Sequence, residues 1–162
     1  MTRKELLLGR AFRVREDVVS RLSASKAPHA AVLAGGADLV WSDRLTRTAG
    51  RAWTRRDHPS SLPDRVELSW PVFALKENEH DFDETVIHEL AHIARGRRGH
   101  DALWQHLARL AGGRGERLHQ LKTMVRPKSS RLTGRVHRLV YRALAARRNL
   151  EVLEAMIEGE IG

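Results

Sequence analysis

One string of five residues, His88-Glu89-Leu90-Ala91-His92, constrains this chain more than any other feature. It lies in a run where Val86, Ile87, Leu90, Ala91 and Ala94 recur at helical spacing. Asp81 or Asp83 is placed to cap that run or to supply a first-turn anion, and Gly96 and Gly99 are placed to end it. A buried helix is therefore predicted from Asp83 onward. On a helix, a separation of four residues puts both imidazoles on one face about one turn apart, the spacing of a metal grip. Glu89 follows the first histidine, so it stands beside a bound ion rather than ligating it. The expected division of labour is that zinc lowers the pKa of a water and polarises a carbonyl, while Glu89 takes the water's proton and returns it to a leaving amine. The reaction so described is amide hydrolysis. The competing reading is a chance histidine pair with a solvent-facing glutamate.

Composition narrows the ligand set. The chain has no cysteine, which removes disulfides, thiolate nucleophiles and Cys-ligated clusters, so a metal must be held by His, Asp or Glu. A catalytic zinc takes three protein ligands and keeps one position open. Of the nine histidines, His100 is the preferred third ligand, because Gly96 and Gly99 can reverse the chain after His92. Asp101 is placed to orient an imidazole or to cap the next helix. Glu116, His106 and His119 stay open as alternatives, and Glu116 can equally pair with Arg114 or Arg117.

The rest of the chain frames that helix. At 162 residues it suits one domain, since two would each approach the lower limit for a hydrophobic core. Residues 4–23 predict one helix or two short ones, and the small-residue stretch 23–38 leads into short strands at 37–41 and 49–54. Val66, Leu68 and Trp70 alternate with Glu67 and Ser69 in the clearest strand, ended by Pro71. Asp101 can cap a shorter helix bearing Leu103, Trp104, Leu107 and Leu110, followed by a turn at Gly112, Gly113 and Gly115. Leu132, Val136, Leu139, Val140, Leu144, Leu150, Leu153 and Ile157 support a long C-terminal helix, or two helices bent near 147–149. Trp41, Trp70 and Trp104 read as core or cleft-wall residues. No stretch reads as a signal peptide or membrane span, so a cytoplasmic location and no membrane partner are expected.

The formal net charge is +9, which suits nucleic acid or an acidic protein as partner. Between Arg114 and Arg148 there are eleven Lys or Arg against the single acid Glu116. If residues 131–142 are helical, Arg131, Arg135, Arg138 and Arg142 form one stripe able to follow a phosphate backbone without reading bases. The competing readings of that stripe are a solvated helix face or an acidic-protein contact. Few aromatics accompany it, so ordered single-strand stacking is not expected.

Several segments together resemble the SprT-like zinc metallopeptidases, the family that includes Spartan, a DNA-dependent protease of DNA–protein crosslink repair. They are Val40-Trp41-Ser42 with Arg44-Leu45-Thr46 and Ala49-Gly50, then Val66-Glu67-Leu68-Ser69-Trp70-Pro71 before Phe73, and Thr85 to His92. The likeness continues through Gly99-His100 and Trp104 to Gly112-Gly113-Arg114-Gly115-Glu116-Arg117-Leu118-His119, so it spans about residues 37–119. It implies His88, His92 and His100 as zinc ligands and Glu89 as the catalytic residue. Two departures stand out: Asp101 replaces a common glycine, and the cysteine-bearing zinc ribbon of many bacterial relatives is missing, with Leu118 where they have a cysteine.

The resulting expectation is an α+β fold, a zincin-like metallopeptidase core with a small β-sheet beside the active-site helix and a basic C-terminal helical extension. The peptidase domain would occupy 1–119 and the extension 120–162. The expected function is a zinc-dependent endopeptidase acting on DNA-bound proteins or DNA–protein crosslinks, monomeric rather than an obligate oligomer, cytoplasmic and nucleoid-associated where it meets DNA. The alternatives are a non-catalytic DNA-binding or scaffold protein with a structural zinc, and a zinc peptidase acting on a soluble regulatory protein.

Overall fold

The computed structural model describes residues 1–57, 63–117, 120–125 and 135–161, the side chains of 135–137 excepted. Thr2 and Glu5 begin it. The Thr2 hydroxyl accepts from the Glu5 amide at 3.2 Å and the Glu5 carboxylate accepts from the Thr2 amide at 2.8 Å, a capping box that starts helix α1 (Arg3–Ala24). Leu7, Ala11, Val18 and Leu22 form its buried stripe, and it runs as one helix rather than two. Pro28 pre-sets the first turn of α2 (Pro28–Gly35), a helix that the small-residue composition of 23–38 conceals. Its buried residues are Ala30, Ala31 and Ala34, whose small side chains let it lie close to its neighbours.

Three strands follow, β1 (Asp38–Ser42), β2 (Gly50–Trp53) and β3 (Arg65–Ser69), in the order β1-β3-β2. β1 runs parallel to β3 with Leu39 opposite Val66, and β2 runs antiparallel to it with Gly50 opposite Leu68. β2 is thus an edge strand. Val66 and Leu68 point into the core, as their alternation predicts. Trp70, expected to end this strand, instead starts a short helix, α3 (Trp70–Phe73). The reason is local: Pro71 favours a first helical turn, and the Ser69 hydroxyl accepts from the Val72 amide at 3.1 Å while donating to the Leu45 carbonyl.

A 3₁₀ turn at Lys76–Asp81 leads into α4 (Phe82–Arg95). Phe82, Val86, Leu90 and Ile93 are fully buried in the core, where the Phe82 ring meets Phe73 edge to face at 4.9 Å. Asp81 is the N-cap residue, although its side chain makes no cap hydrogen bond, and Asp83 supplies the expected first-turn anion. Asp81 pairs with Arg114, and Asp83 pairs with Arg10 at 2.7 Å. Asp101 does cap α5 (Ala102–Leu110), accepting from the Trp104 amide at 2.9 Å.

The last helix, α6 (Arg135–Ile161), passes through 147–149 unbroken and docks on α3 and α1. Its buried residues are Ala145, Val152 and Gly159. The leucines expected to form its core face are exposed, because contact with the Trp70 ring leaves room only for small side chains such as Gly159. Leu132 lies outside the described residues, as does the Val136 side chain. The fold is therefore mixed α+β and mostly helical, with a small three-stranded sheet beside α4. Among the described residues, no helix is long and apolar enough to cross a membrane.

Candidate metal centre

α4 presents His88 and His92 one turn apart, their ring centroids separated by 5.1 Å. Gly96, at φ +72°, closes the helix by donating to the His92 and Ile93 carbonyls, and Gly99, at φ +109°, completes the reversal. Both conformations strain any residue with a Cβ. The next residues are tied down from several sides: Asp101 accepts from Arg95 at 3.0 Å and Arg97 at 2.7 Å, and the His100 carbonyl accepts from Arg117 at 3.1 Å. This delivers His100 Nε2 to 3.0 Å from His88 Nε2, and one ring nitrogen from each of His88, His92 and His100 lies within 4.8 Å of the others.

Trp104 is the floor beneath the cluster. It is fully buried, stacks on His92 at 5.2 Å between centroids with the planes inclined by 27°, and meets His88 at 4.7 Å and His100 at 4.4 Å edge-on. Of the two readings open to it, core residue and cleft wall, the structure shows the first, with Trp104 packed against Ala91 and Ala108.

Three imidazoles suit a zinc ion. Nitrogens bound tetrahedrally at about 2.0–2.1 Å lie about 3.3 Å apart, close to the His88–His100 spacing. Burial, reinforced by the neighbouring His100, pushes His92 down to about 4, and burial with the Arg117 charge lowers His100 as well. Neutral rings keep their lone pairs for a metal. The cluster opens on a cleft, a cavity of about 410 Å³ on the side of Arg47 and Arg117 and one of about 370 Å³ on the side of Arg51 and Arg98, which leaves space for a fourth position.

Glu89 lines both cavities and is itself buried. Burial pushes its carboxyl up to about 8, against the Ala52 backbone N–H and the Arg98 charge, which favour the anion. Its position is set by β2. A Cβ on Gly50 would meet Glu89 Cγ at 2.8 Å and Oε1 at 3.1 Å, so only glycine lets the strand lie against this carboxylate.

A segment at 120–125 forms the far rim, with Leu121 and Thr123 in the cleft lining. Buried Asn78 holds it, donating to the Lys122 carbonyl at 2.8 Å and accepting from the Lys122 amide at 2.9 Å. Asn149 on α6 grips Val125 in the same two-way manner, and the Met124 amide reaches Thr46 in the β1–β2 loop at 3.1 Å. Gly50, Asn78 and Asn149 are the supporting residues that sequence reasoning missed. A glycine within a strand pattern is a readable signal of close approach; the two asparagines carry none.

The other sequence candidates fall elsewhere. His106 is exposed on α5 outside the cluster, and Glu116 is exposed and 3.5 Å from Arg114. His119 and Arg131 lie outside the described residues, and Arg135 opens α6. Arg138 and Arg142 are exposed on that helix. Arg97 pairs with Asp101, while Arg98 pairs with Asp57 at 3.2 Å and lies over the Trp53 ring at 5.2 Å. A larger cavity of about 620 Å³ lies around Pro28, Leu33 and Leu107, but the histidine trio is the only cluster able to hold a metal ion among the described residues.

A family model described as SprT-like matches residues 20–125, from late α1 through the cleft rim. Comparisons with curated proteins and with solved structures find no match.

Proposed function

From the premise that this chain belongs to the SprT-like family, we propose that it is a zinc-dependent endopeptidase that acts on proteins held on DNA, DNA–protein crosslinks among them. The observation that carries the reading is the convergence of three imidazoles on one point, with a buried carboxylate beside them in an open cleft. His88, His92 and His100 would hold the ion. When bound, zinc supplies Lewis acidity toward a scissile carbonyl and an attacking water. Glu89 would carry its anionic form beside that cation, against the burial that disfavours it.

Glu89 then acts as the proton carrier. It accepts a proton as the water oxygen bonds to the carbonyl carbon, and it gives that proton to the amide nitrogen as the C–N bond breaks. The acyl side leaves as a carboxylic acid and the other side as an amine, so the atoms balance. β2 is an edge strand whose Gly50, Arg51 and Ala52 line the cleft, and an extended peptide added there would pass over the histidines.

Support for DNA is electrostatic. The net charge is +9, Arg138 and Arg142 are exposed on α6, and the cleft mouth carries Arg47, Arg51, Arg98 and Arg117. Such contacts gather enzyme and substrate on one polymer without base specificity. The test is cleavage of a DNA-bound protein by wild type and Glu89→Gln, with and without DNA and with a chelator. Expected are zinc-dependent cleavage by wild type, stimulation by DNA, and near-complete loss in the variant. Equal cleavage by both proteins overturns the catalytic reading in favour of a scaffold. Indifference to DNA redirects it to a soluble protein substrate.

A further inference from the structure

Helix α6 has two apolar faces, and only one is used. Ala145, Val152 and Gly159 turn inward, whereas Leu139 (59% exposed), Leu150 (55%), Leu153 (47%) and Ile157 (58%) face outward. Ala143 and Ala146 are exposed on the same line. The series 139, 143, 146, 150, 153, 157 steps by four, three, four, three and four, the a and d spacing of a coiled-coil seam. Exposed Val140 and Leu144 widen it on one flank. We propose that this seam docks a second copy of the chain, α6 against α6 and antiparallel, in place of the monomer expected from the sequence.

Charge selects both the occupant and its direction. Arg135, Arg138, Arg142, Arg147 and Arg148 precede Asn149 with no acid among them, and Glu151, Glu154, Glu158 and Glu160 follow it with no base. A parallel pair lays like charges together, whereas an antiparallel pair sets each basic half beside an acidic half. The acidic half also opposes docking of the whole seam on DNA or an anionic lipid surface.

Side-chain size selects the register. With the two-fold axis at position 148, Leu139 faces Ile157 of the second copy, Ala143 faces Leu153 and Ala146 faces Leu150. The inner layers each set a small residue against a large one, which lets the helices approach without voids. The same axis lies one residue before Asn149, where the charge changes sign, and it sets Arg138 opposite Glu158 and Arg142 opposite Glu154 of the second copy, with the two Arg148 residues facing each other at the centre. Charge and size thus agree on one isologous, closed arrangement. At 27 residues α6 is about 40 Å long, ample for such a seam. The seam lies beyond the residues matched by the family model, and the inference does not rest on peptidase activity.

The test uses the full chain. Sedimentation over roughly 1–100 µM is expected to show a concentration-dependent dimer. Leu150→Glu combined with Leu153→Glu is expected to be monomeric with an unchanged circular dichroism spectrum, because both side chains are exposed in the protomer. A wild-type chain that is monomeric throughout overturns the proposal, as does a double variant that dimerises like wild type. Direction is read by cross-linking, since the chain has no cysteine of its own. Ala146→Cys with Leu150→Cys is expected to give an oxidised covalent dimer, and Ile157→Cys alone is not. Cross-linking through position 157 alone overturns the antiparallel arrangement. A monomeric chain whose seam binds phosphatidylglycerol vesicles overturns the choice of occupant.

Discussion

Replacing Gly50 by alanine tests the site where it is most tightly built. Gly50 does not have positive φ, so the backbone itself tolerates a side chain. The obstacle is Glu89. The new Cβ would lie 2.8 Å from Glu89 Cγ and 3.2 Å from Cδ, against about 3.5–4.0 Å for unstrained carbon contacts. Relief requires strand or carboxylate to move by roughly 1 Å, and misplacement of a reacting group by that much costs on the order of 100-fold in rate, about 2.7 kcal/mol in the barrier. Overpacking adds a stability loss of about 1–3 kcal/mol, so turnover is normalised to folded, zinc-loaded protein. Zinc content is expected to stay at the wild-type level, because the nearest atoms a Cβ at position 50 would meet belong to Glu89 and not to a histidine. The assay is a double-mutant cycle on protein cleavage: Gly50→Ala is expected to lower kcat about 100-fold in the wild-type background and to add almost nothing once Glu89→Gln is present. Wild-type turnover by Gly50→Ala, or an equal loss in both backgrounds, refutes the idea that this strand works through Glu89.

Three further expectations follow from other parts of the site. His100→Ala is expected to weaken zinc binding by more than the roughly 10–100-fold that loss of a supporting partner costs, while His106→Ala leaves it unchanged; isothermal titration of both variants checks this. Arg95, Arg97 and the Trp104 amide hold the Asp101 carboxyl well below the ordinary range, so its stabilisation is fully present above the unfolded value of about 3.9 and is lost as pH falls through the lower folded value. Asp101→Asn keeps a cap acceptor but removes the charge, so the gap in urea midpoint from wild type is expected at about pH 7 and should narrow below about pH 4; a constant gap refutes it. Asn78→Ala leaves the Lys122 groups and the Val72 carbonyl without their partner; a loss of about 1–3 kcal/mol in urea unfolding is expected, with faster proteolytic nicking at 120–125.

The histidine trio was legible because each member is specified locally. Two lie four residues apart on one helix, and the third follows two glycines whose positive φ values turn the chain back. The strands were legible at Val66 and Leu68, where one face is buried and the period is two. The α2 helix was not, because Ala30, Ala31 and Ala34 carry no periodic contrast with their neighbours. Trp70 reads as part of the strand because its apolar character continues the alternation; the Ser69 hydroxyl that caps the helix instead is also bonded to the Leu45 carbonyl, 24 residues away. Asn78 and Asn149 were illegible for the same reason, as their partners are backbone groups brought near only by the finished fold.

The C-terminal helix shows how a correct periodicity can be attached to the wrong surface. Its leucines repeat at helical spacing, and a helical stripe is ordinarily the face that meets the core. Here the core contact goes to the small residues, because Trp70 needs the helix backbone close: Gly159 lies on its ring, and its indole N–H donates to the Met156 carbonyl at 3.3 Å. Binary patterning cannot distinguish these cases, since alanine and glycine register as weakly apolar whether they face inward or outward. Once the small residues are seen to face inward, the leucine stripe requires a separate partner, and the division of charge at Asn149 supplies its direction. The same helix grips the cleft rim through Asn149 and Val125, so whatever covers its outer face bears on a segment that lines the histidine cleft.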